Sequence, residues 1–352
     1  MIRPKPGKPV LDPRLILAEE GAVALKELIA TTGYVPQEKP FAAFVKALRT
    51  GTPLITEGLG GSGKTAFAEA VAEACNLPFF SLPCMPGMTG EVLLGMFNTD
   101  MQHAAIRRAI DQGVAPAKAS RTVWTADYYE FGEVLGAYAY MARTGVTTLL
   151  LLDEIDKLDA QCQFHLLQLL ARGYADIPKL QPDNRLGILT GLPPIVYLTS
   201  NNMASGVNGL LRSRSLYAWF DAPKLEETVR ILRARVPDAP YPLFVQLVKL
   251  AEQYRSESAF VQKPELRDWI RLLAHLVADG IPALNERVLA GCASFLAKTQ
   301  DDWANYHAKI FRFLGVIEAP DATIETLSAR EFGMLEPIRE PLRLVPHPEN
   351  AA

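Results

Sequence analysis

The chain has 352 residues, of which 21% are charged, and a formal net charge of −3, with an isoelectric point near 6.0. That length predicts about two domains, and the mildly acidic balance offers no electrostatic footprint for a phosphate backbone, so nucleic acid is expected to be at most a minor partner. Cys75, Cys84, Cys162 and Cys292 are scattered without C-x-x-C spacing or a histidine placed as fellow ligand, which indicates neither a zinc site nor a disulfide framework and fits a reducing cytoplasm.

In chain order, Met1-Ile2-Arg3-Pro4-Lys5-Pro6 leads into no apolar run of secretory or membrane-spanning length, so a cytoplasmic protein is expected. Residues 1–30 are predicted to be a helical lead-in. Residues 31–222 are predicted to be an α/β nucleotide-binding domain with a parallel central sheet flanked by helices. The apolar run Pro53-Leu54-Ile55-Thr56 reads as a strand, and Gly58-Leu59-Gly60-Gly61-Ser62-Gly63-Lys64-Thr65 follows it as G-x-x-x-x-G-K-[ST]. Glycines serve here because the backbone must approach phosphates closely and aim successive N–H groups at them. Lys64 is expected to reach the β- and γ-phosphates and Thr65 to supply a hydroxyl to Mg²⁺. The helix through Ala66 would place its N-terminus beneath the phosphates. The predicted binding set is Gly58, Gly60, Gly61, Ser62, Gly63, Lys64, Thr65 and Ala66, with ATP and Mg²⁺ as cofactors.

From about residue 85 to 145 the patterning weakens, and the stretch carries Arg107, Arg108, Lys118, Arg121, Trp124, Tyr128, Tyr129 and Phe131. Two readings stand: aromatics packing the stretch onto its own domain with its cations solvated, or a surface that grips a partner, including stacking positions for a nucleic acid. Thr147-Thr148-Leu149-Leu150-Leu151-Leu152-Asp153-Glu154 then reads as a strand buried on both faces and ending in two acids. Asp153 is expected to hold Mg²⁺, and Glu154 to orient or deprotonate the attacking water. A glutamate beside that aspartate favours hydrolysis over phosphoryl transfer to a small molecule. Asp156-Lys157-Leu158-Asp159 imitates a guanine-reading N-K-x-D box, but it follows the acids immediately and reads as the start of a helix through Leu166, Leu169 and Leu170.

Residues 179–193 form a turn-rich insertion with a hairpin expected at Gly187 or Gly191. The strand Pro194-Ile195-Val196-Tyr197-Leu198-Thr199-Ser200-Asn201-Asn202 turns abruptly polar. Asn201 is the candidate to hydrogen-bond the water or γ-phosphate, because an amide does so without adding charge. In Gly209-Leu210-Leu211-Arg212-Ser213-Arg214, Arg214 and secondarily Arg212 are candidates to neutralise charge on a neighbouring subunit's γ-phosphate. The competing reading is a surface ion pair. At Asp221-Ala222-Pro223 the alternation of strand and helix stops. Apolar stripes at Leu225/Val229/Leu232/Val236, Leu243/Leu247/Leu250/Tyr254, Leu266/Trp269/Leu273/Leu276 and Val288/Cys292/Phe295 predict an all-helical domain over 223–315. The proline-rich residues 316–352 are expected to be an extended tail.

This order of motifs resembles the AAA+ ATPases. Tyr34-Val35-Pro36, Asp153-Glu154-Ile155-Asp156-Lys157, Tyr174-Ala175-Asp176-Ile177-Pro178, Leu198-Thr199-Ser200-Asn201-Asn202 and Leu216-Tyr217-Ala218-Trp219-Phe220-Asp221-Ala222-Pro223 are similar to the MoxR branch, closest to its CoxD-type members, over about residues 15 to 315. The resemblance implies a P-loop NTPase fold whose helical domain is a lid, and an insertion in helix 2 over 85–145. It also implies a homohexamer that hydrolyses ATP between subunits to remodel a protein partner or assist metal-cofactor assembly. A protein bearing a von Willebrand factor A domain is the implied companion. Lids of this branch often open a helix with Ser-Pro-Arg; here Lys263-Pro264-Glu265-Leu266-Arg267 displaces the arginine, leaving Arg267 as the candidate nucleotide sensor or as a solvated residue. Two alternatives stay open: a nucleic-acid-linked motor of the McrB type, and a scaffold that binds ATP to assemble.

Overall fold

The computed structural model describes residues 1–180, 185–186, 193–201 and 206–334; the hairpin expected at Gly187 or Gly191 and the tail beyond residue 334 lie outside the described residues. Two compact units divide the chain, Met1–Ala222 and Pro223–Ala352.

The first unit is built on five parallel strands, β1 (Leu54–Gly58), β2 (Phe79–Pro83), β3 (Leu149–Asp153), β4 (Ile195–Ser200) and β5 (Leu216–Phe220), in the spatial order β2-β3-β4-β1-β5. All residues of β4 and Leu149 to Leu152 of β3 are buried, which explains their unalternating apolar sequences. The pleat nevertheless sorts their side chains between two cores. Ile55, Leu150, Leu152, Val196 and Leu198 pack with Val134, Tyr138, Leu166 and Leu169; Leu54, Leu149, Leu151, Ile195 and Tyr197 pack with Phe44, Phe67 and Val71. The register pairs Glu57 with Ser200, and Leu152 of β3 with Leu198, so the carboxyl ends of β1, β3 and β4 lie side by side. In open parallel sheets those ends, where connections leave in opposite directions, are where ligands bind.

Three expectations need correction in this unit. Residues 1–12 are not helical: prolines at positions 4, 6 and 9 disfavour a helix, the chain turns at residues 6–8 with Gly7 at φ +78°, and Ile2 pairs with Phe79 on the free edge of β2 through bonds of 2.7 and 3.0 Å. The helices Pro13–Glu19 and Gly21–Ala30 bury Leu17, Leu25 and Ile29 in the core that holds Phe67, so they are part of the unit and not a lead-in to it. Residues 85–145, weakly patterned in sequence, are ordered. An antiparallel pair, Gly95–Phe97 with Tyr129–Phe131, encloses the helix Thr99–Asp111. The helix Glu133–Thr144 then returns to bury Val134, Leu135, Ala137 and Tyr138. Finally, Ile155–Lys157 is a separate 3₁₀ turn, and the following helix begins at Ala160, with Asp159 accepting the Cys162 N–H at 2.8 Å as its N-cap.

The second unit is helical throughout its described residues. The helices Leu225–Arg235, Tyr241–Ser256 and Leu266–Ala278 bury the predicted stripes in one core with Phe313. The fourth stripe is split into Glu286–Gly291 and Ala293–Leu296 at Cys292. The expected extended tail is also corrected over its described residues, 316–334. Asp321 accepts the N–H groups of Thr323 and Ile324 at 3.1 and 3.0 Å and caps the helix Ala322–Glu331, which buries Ile324 and Ser328. Phe332 then packs edge-on against Tyr241 and Phe244, with centroids 5.2 Å apart in each case. Pro320 precedes the cap, outside the helix, where it removes no helical hydrogen bond. Among the described residues, no helix is long and apolar enough to cross a membrane.

Candidate functional site

The loop after β1 turns on three conformations that disfavour a side chain. Gly58 has φ +153°, Gly61 has φ +71°, and Gly63, which opens the helix Lys64–Ala74, has φ +94°. The Tyr34 hydroxyl donates to the Gly63 carbonyl at 3.2 Å, and its ring packs against Phe67 at 5.6 Å, fastening the loop to the core beneath. Lys64 is buried, and its ammonium donates to the carbonyls of Gly58 and Leu59 at 2.8 and 2.9 Å. Gly60 and Gly61 are exposed at the loop's crest, Ser62 is buried, and Thr65 and Ala66 are half-buried in the first helical turn. A helix N-terminus, a glycine turn and a lysine inside it fit a phosphate group, whose oxygens can take over the bonds that Lys64 now gives to its own loop.

β3 brings the two acids against this loop. The Thr65 hydroxyl donates to Asp153 Oδ1 at 2.8 Å, and the Thr199 hydroxyl from β4 donates to the same oxygen at 2.5 Å. Thr199 Oγ1 also accepts the Glu154 N–H at 2.9 Å. Thr65 and Asp153 thus present adjacent hard oxygen donors, the set that suits Mg²⁺. The local field agrees. Burial pushes the nearby Cys84 thiol up to about 12, with the charges of Asp153, Asp156 and Glu154 adding to the shift, and a negative field of that kind favours a cation.

Glu154 lies at φ +58°, ψ +50°, a left-handed conformation that costs a non-glycine residue about 1 kcal/mol or more. The turn directs its carboxylate away from the strand. There Asn201 Nδ2 donates to Oε1 at 2.6 Å and Lys157 Nζ lies 3.4 Å from Oε2. The Asn201 amide therefore meets the carboxylate itself, whereas the sequence had suggested water or γ-phosphate as its partner. One amide proton remains for a second acceptor.

The arginines separate. Arg212 Nη2 lies 2.5 Å from Glu57 Oε1, a carboxylate only 4% exposed, so the second of the two arginine candidates is engaged within its own chain. Arg214, the first candidate, is exposed and donates only weakly, at 3.3 Å, to the Leu210 carbonyl. Arg267 belongs to the second unit, where it is 66% exposed and pairs with Glu265 at 3.3 Å. In the 85–145 stretch, Phe97 packs edge-on against Trp124 at 4.9 Å and Tyr129 at 5.1 Å, and Lys179 lies over the Trp124 ring at 4.7 Å. Those rings are occupied within the unit and Arg107, Arg108, Lys118 and Arg121 are exposed, as the packing reading has it, whereas Phe131 is exposed.

Sequence reasoning missed Glu57, Thr199, Lys157 and the anchoring role of Tyr34. Only Glu57 carried a signal: a glutamate ending an apolar strand, between Thr56 and the glycine loop. No family model matches the chain, and no curated protein matches it.

Proposed function

We propose that the chain is a Mg²⁺-dependent ATPase of the MoxR-like AAA+ type that works as a ring, hydrolysing ATP at subunit interfaces to remodel a protein partner or assist the maturation of a metal-containing complex. The observation that carries this reading is the convergence of Lys64, Thr65, Asp153, Glu154 and Asn201 at the carboxyl ends of three adjacent strands, with Thr65 2.8 Å from Asp153 and Asn201 2.6 Å from Glu154. The Gly58–Thr65 loop and Lys64 would hold the triphosphate, and Thr65 and Asp153 would hold Mg²⁺, which supplies charge neutralisation on the phosphates. Glu154 would take a proton from the attacking water once that water displaces the Asn201 or Lys157 contact, leaving Asn201 to hold the water in line. An exposed Arg214 is available to a neighbouring subunit's γ-phosphate; Arg212, already paired with Glu57, is a weaker candidate for that role. The second unit would serve as the lid, with Arg267 free to swing from Glu265. The packed aromatics of residues 85–145 favour a protein partner, such as one with a von Willebrand factor A domain, over a nucleic acid. A cytoplasmic location fits this reading.

ATP and GTP hydrolysis measured against protein concentration, with light scattering on the same samples and Glu154→Gln as control, tests the proposal. Specific ATPase activity that rises together with assembly to about six subunits is expected, with turnover lost in Glu154→Gln. Concentration-independent activity in a monomer overturns the shared site.

A further inference from the structure

Glu57 is the last residue with a side chain before the phosphate loop. It occupies the carboxyl end of β1, between Ser200 of β4 and Trp219 of β5 in register, and its side chain is only 4% exposed. A carboxylate buried there must be compensated, and the cation that compensates it is Arg212, whose Nη2 lies at 2.5 Å. Arg214 follows two positions later in the same segment of the chain, exposed.

The rest of that segment is pinned to the same unit. The Gln163 side chain donates to the Gly206 carbonyl at 2.8 Å and accepts the Asn208 N–H at 2.7 Å, and Leu211 is fully buried. Beyond Leu211 and before β5, the tie of Arg212 to Glu57 holds the backbone that carries Arg214. Because Glu57 adjoins Gly58, a shift at the first residue of the loop moves the anchor of the arginine segment.

We propose that Glu57 is a positioning residue that fixes Arg214 for the neighbouring subunit's site and links the phosphate loop of one subunit to the charge it offers the next. This rests on the in-trans role of Arg214 proposed above. Glu57 acts on a site other than the one whose loop it adjoins, and that separates it from a residue that merely supports its own loop.

Complementation in mixed assemblies tests this. Glu57→Gln keeps the shape and removes the charge; alone it is expected to bind ATP within about twofold of the parent and to lose roughly 10- to 100-fold in kcat. An equal mixture of Glu57→Gln and Glu154→Gln is expected to regain activity, because the first supplies an intact acid and the second an intact arginine segment. A mixture of Glu57→Gln and Arg214→Ala is expected to remain inactive, since both lack a placed arginine. The opposite grouping, rescue by Arg214→Ala and none by Glu154→Gln, overturns the inference, as does an unchanged kcat. Failure of Arg214→Ala and Glu154→Gln to rescue each other overturns the in-trans reading and this inference with it; their success leaves the Glu57 result to stand alone. Should Glu57→Gln fail to fold, Arg212→Lys, which keeps the charge and shortens the reach, enters the same mixtures with the same expectations.

Discussion

Replacing Gly58 by alanine tests the account of the loop at its most constrained point. A Cβ on Gly58 would lie 2.4 Å from the Phe220 carbonyl oxygen and 3.1 Å from Phe220 Cβ. Neither atom can retreat, because Gly58 and Phe220 are register partners in the β1–β5 pair and Phe220 is buried in the core. The φ of +153° adds backbone strain. Strain of about 1–3 kcal/mol and overpacking of about 1–3 kcal/mol combine to roughly 2–6 kcal/mol, a large share of the ~5–15 kcal/mol that holds a domain. Gly173→Ala supplies the control. Its φ is +73° and nothing lies within 4 Å of the added carbon, so only left-handed strain of about 1 kcal/mol is expected. Urea unfolding followed by circular dichroism should show a midpoint loss for Gly58→Ala several times that of Gly173→Ala. Equal losses would refute the claim that the β1–β5 contact dictates glycine at this position.

Acid and thiol chemistry yield two further predictions. A hydrogen bond from Lys309, together with the charges of Lys309 and Arg312, holds the Glu257 carboxyl below the usual carboxylate range, and the Lys249 hydrogen bond does the same for Glu325. Because their folded-state pKa values are depressed, both groups contribute stability in full above about pH 4.5, and that contribution fades as pH falls through the unfolded-state value toward the folded one. Glu257→Gln should therefore flatten the dependence of stability on pH between about 5 and 3, and an unchanged slope in thermal melts would count against the pairing. Burial pushes the thiols of Cys75, Cys84 and Cys292 up to about 12 and that of Cys162 to about 11. A thiol reagent at neutral pH should find none of the four cysteines in the native protein and all four in urea; rapid native labelling would show the cores to be looser than described.

Where the chemistry was local, the residues announced it. The strand Leu54–Gly58, the glycine loop and the helix from Lys64 follow one another as the spacing requires, since a loop motif and its flanking periodicities are fixed by backbone sterics over a few residues. The acids at the end of Leu149–Asp153 and the polar tip of Ile195–Ser200 were legible for the same reason, as were the apolar stripes of the second unit. Asp321 was equally local, an aspartate N-cap obscured by the prolines around it.

Other features depended on what lies far along the chain. That β4 separates β1 from β3, that Thr199 bridges Asp153 and Glu154, and that residues 95–97 pair with 129–131 are set by sheet order and long-range pairing. Glu57 and Arg212 are 155 positions apart in sequence, and neither residue's neighbours signal the other. The elements and the reactive groups were legible along the chain, because φ/ψ preferences and side-chain periodicity act over one or two turns. Which of those groups meet followed from the fold, because burial turns a distant partner from an option into a requirement: a carboxylate removed from water must find its cation wherever the fold brings one.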